Sequence, residues 1–423
     1  MMLYEKGSPD TVLSPEEMRE GMFTALRAFG AISSMLIVPP DITRFHSRAG
    51  ELTRSAYEYS PSAVSGIVPA LGTHCPMTET EIETMFGDVP KSLFRNHDWR
   101  GGCVRMGEIP ADFVSTISEG AVGYQIPVDI DRHLLAPLTD CILSIGQVVP
   151  HEVAGMAGYS KNIVIGLGGQ EMIHRSHFLG AAYGMERIMG KAESPVRKAL
   201  DYASETFLTS LPIVHAITVI GPQADGTQAV RGLYIGVGRE CFNKAAELSQ
   251  NVNVHVLGKK LKNVVVYLDP REYKSTWLGN KSIYRTRMAI EDGGRLVVLA
   301  PGVRMFGEDS EIDGLVRKFG YKGTPAILQA VKDNAALKNN LSAAAHLIHG
   351  SSEGRFSITY CTETLTKGEI EGVGFEYAPV NDMLRRYDPR KLTDGYNILD
   401  DGEELFYISR PGAGLWAWEG KFK

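Results

Sequence analysis

The stretch Ser34-Met-Leu-Ile-Val-Pro-Pro-Asp-Ile-Thr-Arg44 sets the architecture. Four consecutive apolar residues closed by a proline pair read as a strand buried on both faces. The acid, hydroxyl and guanidinium that follow stand at its carboxyl end. A strand of that kind needs similar strands beside it and helices above and below, and the flanking sequence supplies both. Upstream, Ser14 caps a helix with Pro15 at its first position and Glu17 closing a capping box, and apolar residues recur through Phe23, Leu26 and Phe29. Downstream, an apolar run over 63–71 ends at Gly72, and Thr78 opens a helix with Glu81 as its capping partner. Further strands are expected at 141–149, 213–220 and 233–237, and helices at 195–208 and 241–248.

The pattern restarts at residue 263. A strand over 263–268 is followed by a helical stretch at 283–290, and Gly293-Gly294 leads into a strand at 295–299. Helical stretches at 324–337 and 341–348 precede a strand at 356–360. Alternation of this sort predicts α/β structure. The expected organisation is two α/β domains, 1–258 and 259–423, with the active site in the cleft between them. In such sheets ligands gather at the carboxyl ends of the strands, so the polar residues just after each strand carry the functional question.

Composition narrows the classes. Of the 423 residues 43% are hydrophobic and 22% charged, which describes an ordinary folded chain rather than a disordered or fibrous one. Net charge is −6 and no Lys/Arg stripe appears, which argues against a nucleic-acid partner. Apolar runs such as 31–40 fall well short of the ~20 residues of a membrane span, so no membrane partner is expected. The opening residues have neither the apolar core nor the cleavage site of a secretory signal. Five scattered cysteines, an odd number without a Cys-x-x-Cys pair, argue against a disulfide framework and a four-thiolate zinc site. A reducing cytoplasm is the expected home.

Three segments carry candidate chemistry. Asp41-Ile-Thr-Arg44 suits a sugar or phosphate, since arginine offers several fixed donors to an oxyanion; read alone it is equally a turn with a helix N-cap. Gly72-Thr-His74-Cys-Pro-Met-Thr78 places His74 at the sheet edge, as a general base or as a structural histidine. The third, His151-Glu-Val-Ala-Gly-Met-Ala-Gly-Tyr-Ser-Lys161, continues to His174-Arg-Ser-His177. Here the strand at 141–149 delivers His151, and Gly155 and Gly158 are expected to let the backbone approach a bound group. Lys161 is a nucleophile or an anion partner. His174 and His177, three apart, share a helix face, where one can serve as a metal ligand with other donors from elsewhere. Gly166-Leu-Gly168-Gly169 lacks the full dinucleotide spacing, and neither a G-x-S-x-G elbow nor a P-loop is present.

Taken in order, Asp41-x-Thr-Arg44, Gly72-x-His74-x-Pro-x-Thr78, His151-x-x-x-Gly155, Lys161 and His177 resemble the nickel-dependent lactate racemase family and its α-hydroxyacid racemase and epimerase relatives. The resemblance covers most of the N-terminal half and is looser beyond it. It implies a two-domain α/β enzyme carrying a nickel pincer nucleotide, a pyridinium mononucleotide whose ring carbon and two sulfurs hold nickel. Lys161 would be its covalent tether and His177 the protein ligand to nickel. His74 and His151 would be the acid/base pair, and Asp41, Thr43 and Arg44 would hold the nucleotide or orient His74. Inversion then proceeds by removing hydride from Cα while a base takes the hydroxyl proton, through a planar 2-ketoacid, and the cofactor supplies the difficult step. By alignment to a family lysine, Lys281 is the candidate cation for the substrate carboxylate, with Arg175 and Arg285 as replacements. As a bare residue, Lys281 reads as a solvated surface lysine. The implied partners are a small α-hydroxyacid and the enzymes that mature the cofactor.

The sequence departs from the family at several positions. No prolines follow Arg44, Cys75 stands where lactate racemases commonly carry arginine, and Ala157-Gly-Tyr-Ser precedes Lys161 in place of a glycine-richer run. No tryptophan lies near Asn340, where lactate racemases place one against the substrate. The acid/base, tether and ligand positions are intact, so the reaction type is expected to persist while the substrate differs from lactate. Two other readings remain: a Schiff-base lyase or aldolase using Lys161, and a non-catalytic relative that binds the nickel cofactor.

Overall fold

A computed structural model describes residues 1–223 and 227–422. The chain forms two compact α/β units. The first comprises Met1–Leu179 and Ile188–Asn253, the second Gly180–Arg187 and Val254–Lys423. The division at Asn253 precedes the boundary read from sequence. The excursion Gly180–Arg187 had no signature there, because it begins inside an unbroken helix, Gln170–Tyr183.

In the first unit six strands lie in the order Met2–Gly7, Gln228–Gly236, Ile213–Pro222, Cys141–Gln147, Met35–Val38 and Val64–Ile67. The last four pair in parallel and the first two antiparallel. All four residues of Met35–Val38 are buried, as a strand covered on both faces requires. On one face Met22, Ala25 and Leu26 of the helix Pro15–Phe29 pack with Ile37, Leu143 and Val214. On the other, Phe242, Ala245 and Ala246 of the helix Glu240–Asn253 pack with Val148, Ile217 and Val219. Met22 and Leu26 are fully buried, each contributing about 1.5–3 kcal/mol of hydrophobic burial. Both expected capping boxes are present: Ser14 Oγ accepts from Glu17 N while Glu17 accepts from Ser14 N, and Thr78 and Glu81 do the same.

Several elements differ from expectation. The edge strand Met2–Gly7 and the antiparallel pair Cys103–Ile109 with Ile126–Asp131 carry mixed polar and apolar residues that gave no clear period. In the second unit the order is Glu376–Tyr377, Ser357–Cys361, Ile290–Leu299, Leu261–Tyr267, Glu404–Ile408 and Gly395–Ile398, parallel except for the last pair. The helical stretch expected at 283–290 is only the turn Lys281–Tyr284, and the strand begins at Ile290. The one helix expected at 324–337 is two, Thr324–Asp333 and Ala335–Asn339, because Asn334 leaves helical geometry and caps the second by accepting from Ala336 N. Within this unit Glu186, from the excursion, receives Arg287, Arg355 and Lys421 at 2.9, 3.3 and 3.0 Å.

Candidate functional site

Three adjacent parallel strands of the first unit end at one edge, and each releases a candidate side chain there, as the topology of open α/β sheets favours. After Met35–Val38, Asp41 caps a short 3-10 helix, Ile42–Ser47. After Val64–Ile67, a turn at Gly72 carries His74. After Cys141–Gln147, a two-residue strand places His151. The His74 turn is tied down by Gly72 N donating to Gly166 O at 2.9 Å.

Asp41 and His74 form a pair. Asp41 is 4% exposed. Its Oδ2 lies 2.5 Å from His74 Nδ1, and its Oδ1 accepts from Thr43 N at 3.0 Å and Thr43 Oγ1 at 2.5 Å. Burial pushes this carboxyl upward, but the His74 charge and hydrogen bond, the Thr43 hydroxyl and Arg44 outweigh it and bring the pKa down to about 2. The ionised carboxylate accepts only, so His74 Nδ1 carries a proton, and in the neutral ring the lone pair lies on Nε2. The half-buried imidazole is therefore set as a base. Thr43 is engaged on Asp41, and Asp41 on His74.

His151 has the opposite tautomer. Its Nδ1 accepts from Val153 N at 3.1 Å and Ala154 N at 3.4 Å, so the neutral ring carries its proton on Nε2, 3.7 Å from Glu152 Oε1. The ring is 6% exposed. At Gly155 and Gly158 the chain's own backbone leaves no room for a side chain. Both have φ near +80°, and a Cβ at Gly155 would lie 2.2 Å from Lys191 O, one at Gly158 3.0 Å from Gln147 O.

Lys161 joins the same edge. It sits in the one-turn helix Ser160–Val164. The neighbouring Asn162 donates to Val38 O, Ser144 Oγ and Ile145 O at 3.1, 3.0 and 3.3 Å, bridging the ends of two of the three strands. Burial lowers the Lys161 pKa to about 8, with Arg44 and Arg197 adding to the fall and Glu152 and Asp41 opposing it. An ammonium of this kind yields a substantial free-amine fraction near neutral pH.

His177 lies seven residues into the helix that opens at Gln170, roughly 10 Å along its axis. Its Nδ1 faces Ile173 O at 2.7 Å. A carbonyl only accepts, so Nδ1 is protonated and in the neutral ring Nε2 carries the lone pair, the tautomer that metal-binding histidines need. His174, buried at 3%, packs edge-on against Trp99 instead. Among the described residues no group of three or more His, Cys, Asp or Glu side chains can hold a metal ion. A metal held through one of these imidazoles would need most of its donors from outside these side chains.

Lys281 belongs to the second unit. It opens the turn Lys281–Tyr284, is only 7% exposed, and its Nζ lies 5.7 Å from the centre of the Tyr273 ring. The surface lysine expected from the bare residue is thus a buried one, a consequence of the fold that no local pattern announces. Of the alternatives, Arg175 is taken up by Glu171 and Gln125 O, and Arg285 is fully buried.

The fold and site define a two-unit α/β protein with histidines, a depressed lysine and an acidic orienter on one sheet edge. Residues 27–187, a stretch holding every first-unit candidate, match the model of the lactate racemase N-terminal domain. That stretch is similar to the lactate racemase N-terminal domain. Two solved structures share the fold. A structural-genomics protein from Thermotoga maritima is 24% identical with a TM-score of 0.82, over 98% of this chain and 100% of that one. The lactate racemase apoprotein from Thermoanaerobacterium thermosaccharolyticum is 16% identical with a TM-score of 0.69, over 98% and 94%. No curated protein sequence matches. Among the described residues no helix is long and apolar enough to cross a membrane.

Proposed function

We propose that this protein is a cytoplasmic racemase or epimerase of an α-hydroxyacid other than, or broader than, lactate, dependent on a nickel pincer nucleotide. The observation that carries the reading is the Asp41–His74 pair, which fixes a lone pair on His74 Nε2 beside an amine of lowered proton affinity. Lys161 would anchor the cofactor covalently, His177 Nε2 would ligate its nickel, and Arg44 would meet its phosphate. When bound, the cofactor supplies the hydride acceptor and donor. His74 Nε2 takes the substrate hydroxyl proton as Cα loses hydride, and Asp41 stabilises the imidazolium that forms. His151 Nε2–H donates a hydrogen bond to the oxygen of the resulting 2-ketoacid, and the proton held by His74 goes back to that oxygen when hydride returns to the other face. Lys281 is assigned the substrate carboxylate.

Co-expression with the cofactor-maturation enzymes, followed by intact mass and a chiral screen of 2-hydroxyacids, tests the reading. The expected result is an adduct at Lys161 and inversion with the Cα deuterium retained. Rapid exchange of that deuterium with solvent would sink the hydride mechanism.

The lowered Lys161 pKa also favours a second reading, a Schiff-base lyase or aldolase. Borohydride trapping of a 2-ketoacid on cofactor-free protein would separate the two.

A further inference from the structure

Behind Lys161 lies a buried charged network outside the reactions described above. Arg197, on the helix Pro195–Phe207, is fully buried. Its Nη1 donates to Ser160 Oγ at 2.8 Å, and its Nη2 to Met156 O at 2.7 Å and Gly158 O at 3.3 Å. Ser160 Oγ donates in turn to Asp201 Oδ1 at 2.6 Å, and Arg239 pairs with Asp201 Oδ2 at 2.8 Å. The guanidinium also lies 4.4 Å from the centre of the Phe242 ring, which stacks on Tyr159.

One guanidinium thus grips both sides of Tyr159, and Tyr159 is strained. Its φ is +58° and its ψ −134°, a region unfavourable for a residue with a side chain. Such a conformation persists only where its surroundings impose it. Asn162 pins the turn from the far side onto Val38, Ser144 and Ile145. Lys161 is the residue between these two anchors.

The geometry points to Arg197 as the positioning residue for Lys161, tying residues 156–160 into the conformation that presents the amine at the sheet edge. Its use rests on the reading of Lys161 as the attachment amine. The charged groups facing Lys161 are Arg44, Arg197, Glu152 and Asp41. Arg197 acts on the amine both through the turn and as one of two nearby cations. A fork is needed rather than a point charge, because three acceptors are held at once.

The test uses the full-length protein without cofactor, so it stands or falls separately from cofactor binding. Acetic anhydride labels Lys161 across pH 6–10, read by peptide mass spectrometry relative to the exposed Lys198. Wild type should reach half-maximal labelling near pH 8. Arg197→Met should slow Lys161 labelling at pH 8 by about threefold to tenfold, with the midpoint moved upward. Arg197→Lys should remain slow. A folded Arg197→Met with the wild-type ratio and midpoint would overturn the proposal, as would full recovery in Arg197→Lys. Should Arg197→Met not fold, Ser160→Ala removes the shared hydroxyl and leaves the charges. The same fall is expected there, and an unchanged ratio would overturn it.

Discussion

His74 Nδ1 donates its N–H to Asp41 Oδ2 across 2.5 Å, and this contact decides which imidazole nitrogen is left to act. His151, whose Nδ1 takes backbone N–H groups from Val153 and Ala154, is set the other way. Two histidines that look interchangeable in the sequence are held as opposite tautomers, with Nε2 an acceptor in one neutral ring and a donor in the other.

Replacing Asp41 by Asn removes the charge while keeping the shape. The loaded protein should still carry its adduct, and inversion should slow by about a hundredfold or more, the usual scale of a misdirected general base. Chiral chromatography with intact mass checks both. A rate within twofold of wild type would mean that Asp41 does not orient His74.

Lys161 and His177 are assigned different holds on one group, so their substitutions should separate. Lys161→Ala should abolish the covalent adduct. His177→Ala should keep the adduct but lose nickel, measured by elemental analysis beside intact mass. Loss of both in both variants would contradict the division of labour.

His215 gives an acid-stability signature. Its ring is buried 4.5 Å from Tyr159, its Nδ1 has no hydrogen-bond partner, and burial first, then Arg197, lower its pKa to about 3 from the ordinary 6.5. The folded state therefore keeps it neutral, whereas the unfolded chain takes up a proton below pH 6.5. Stability is complete above that value and falls with pH down to the folded pKa, by about 2 kcal/mol at pH 5. His215→Phe should remove this component. Denaturant unfolding of both proteins at pH 7.5 and pH 5 measures the difference, and equal pH sensitivity would contradict it.

Gly155→Ala should destabilise the first unit by at least about 2–3 kcal/mol, because left-handed backbone and a blocked Cβ position coincide there. Gly123, whose Cβ would meet nothing within 4 Å, is the control: Gly123→Ala should stay within about 0.5 kcal/mol. Chemical denaturation midpoints decide.

The legible parts of the fold were those written locally. The capping boxes at Ser14 and Thr78 and the apolar run 35–38 announce their elements because a few adjacent residues determine them. The antiparallel pair beginning at Cys103 was not legible, since its partners are 17 to 28 residues apart and Cys103–Ile109 is mostly exposed or half-buried. At the site, the segments bearing His74, His151, Lys161 and His177 stood out by residue type and order. Their protonation did not, because the tautomer of each imidazole is set by whichever backbone or carboxylate group the fold brings to Nδ1. Arg197 and Ser160 carried no signal either, being distant in sequence and joined only by tertiary hydrogen bonds. The burial of Lys281 is likewise set by the tertiary fold and not by its neighbours in sequence.

The excursion Gly180–Arg187 has a practical consequence for anyone dissecting this protein. Severing the chain after Asn253 would strand Glu186 with the wrong fragment. The remaining piece would keep Arg287, Arg355 and Lys421 gathered around a carboxylate that is no longer there. Three mutually repelling cations, with Arg287 only 5% exposed, are a poor foundation for autonomous folding. The C-terminal fragment should recover its stability only when the peptide 180–187 is supplied or grafted back.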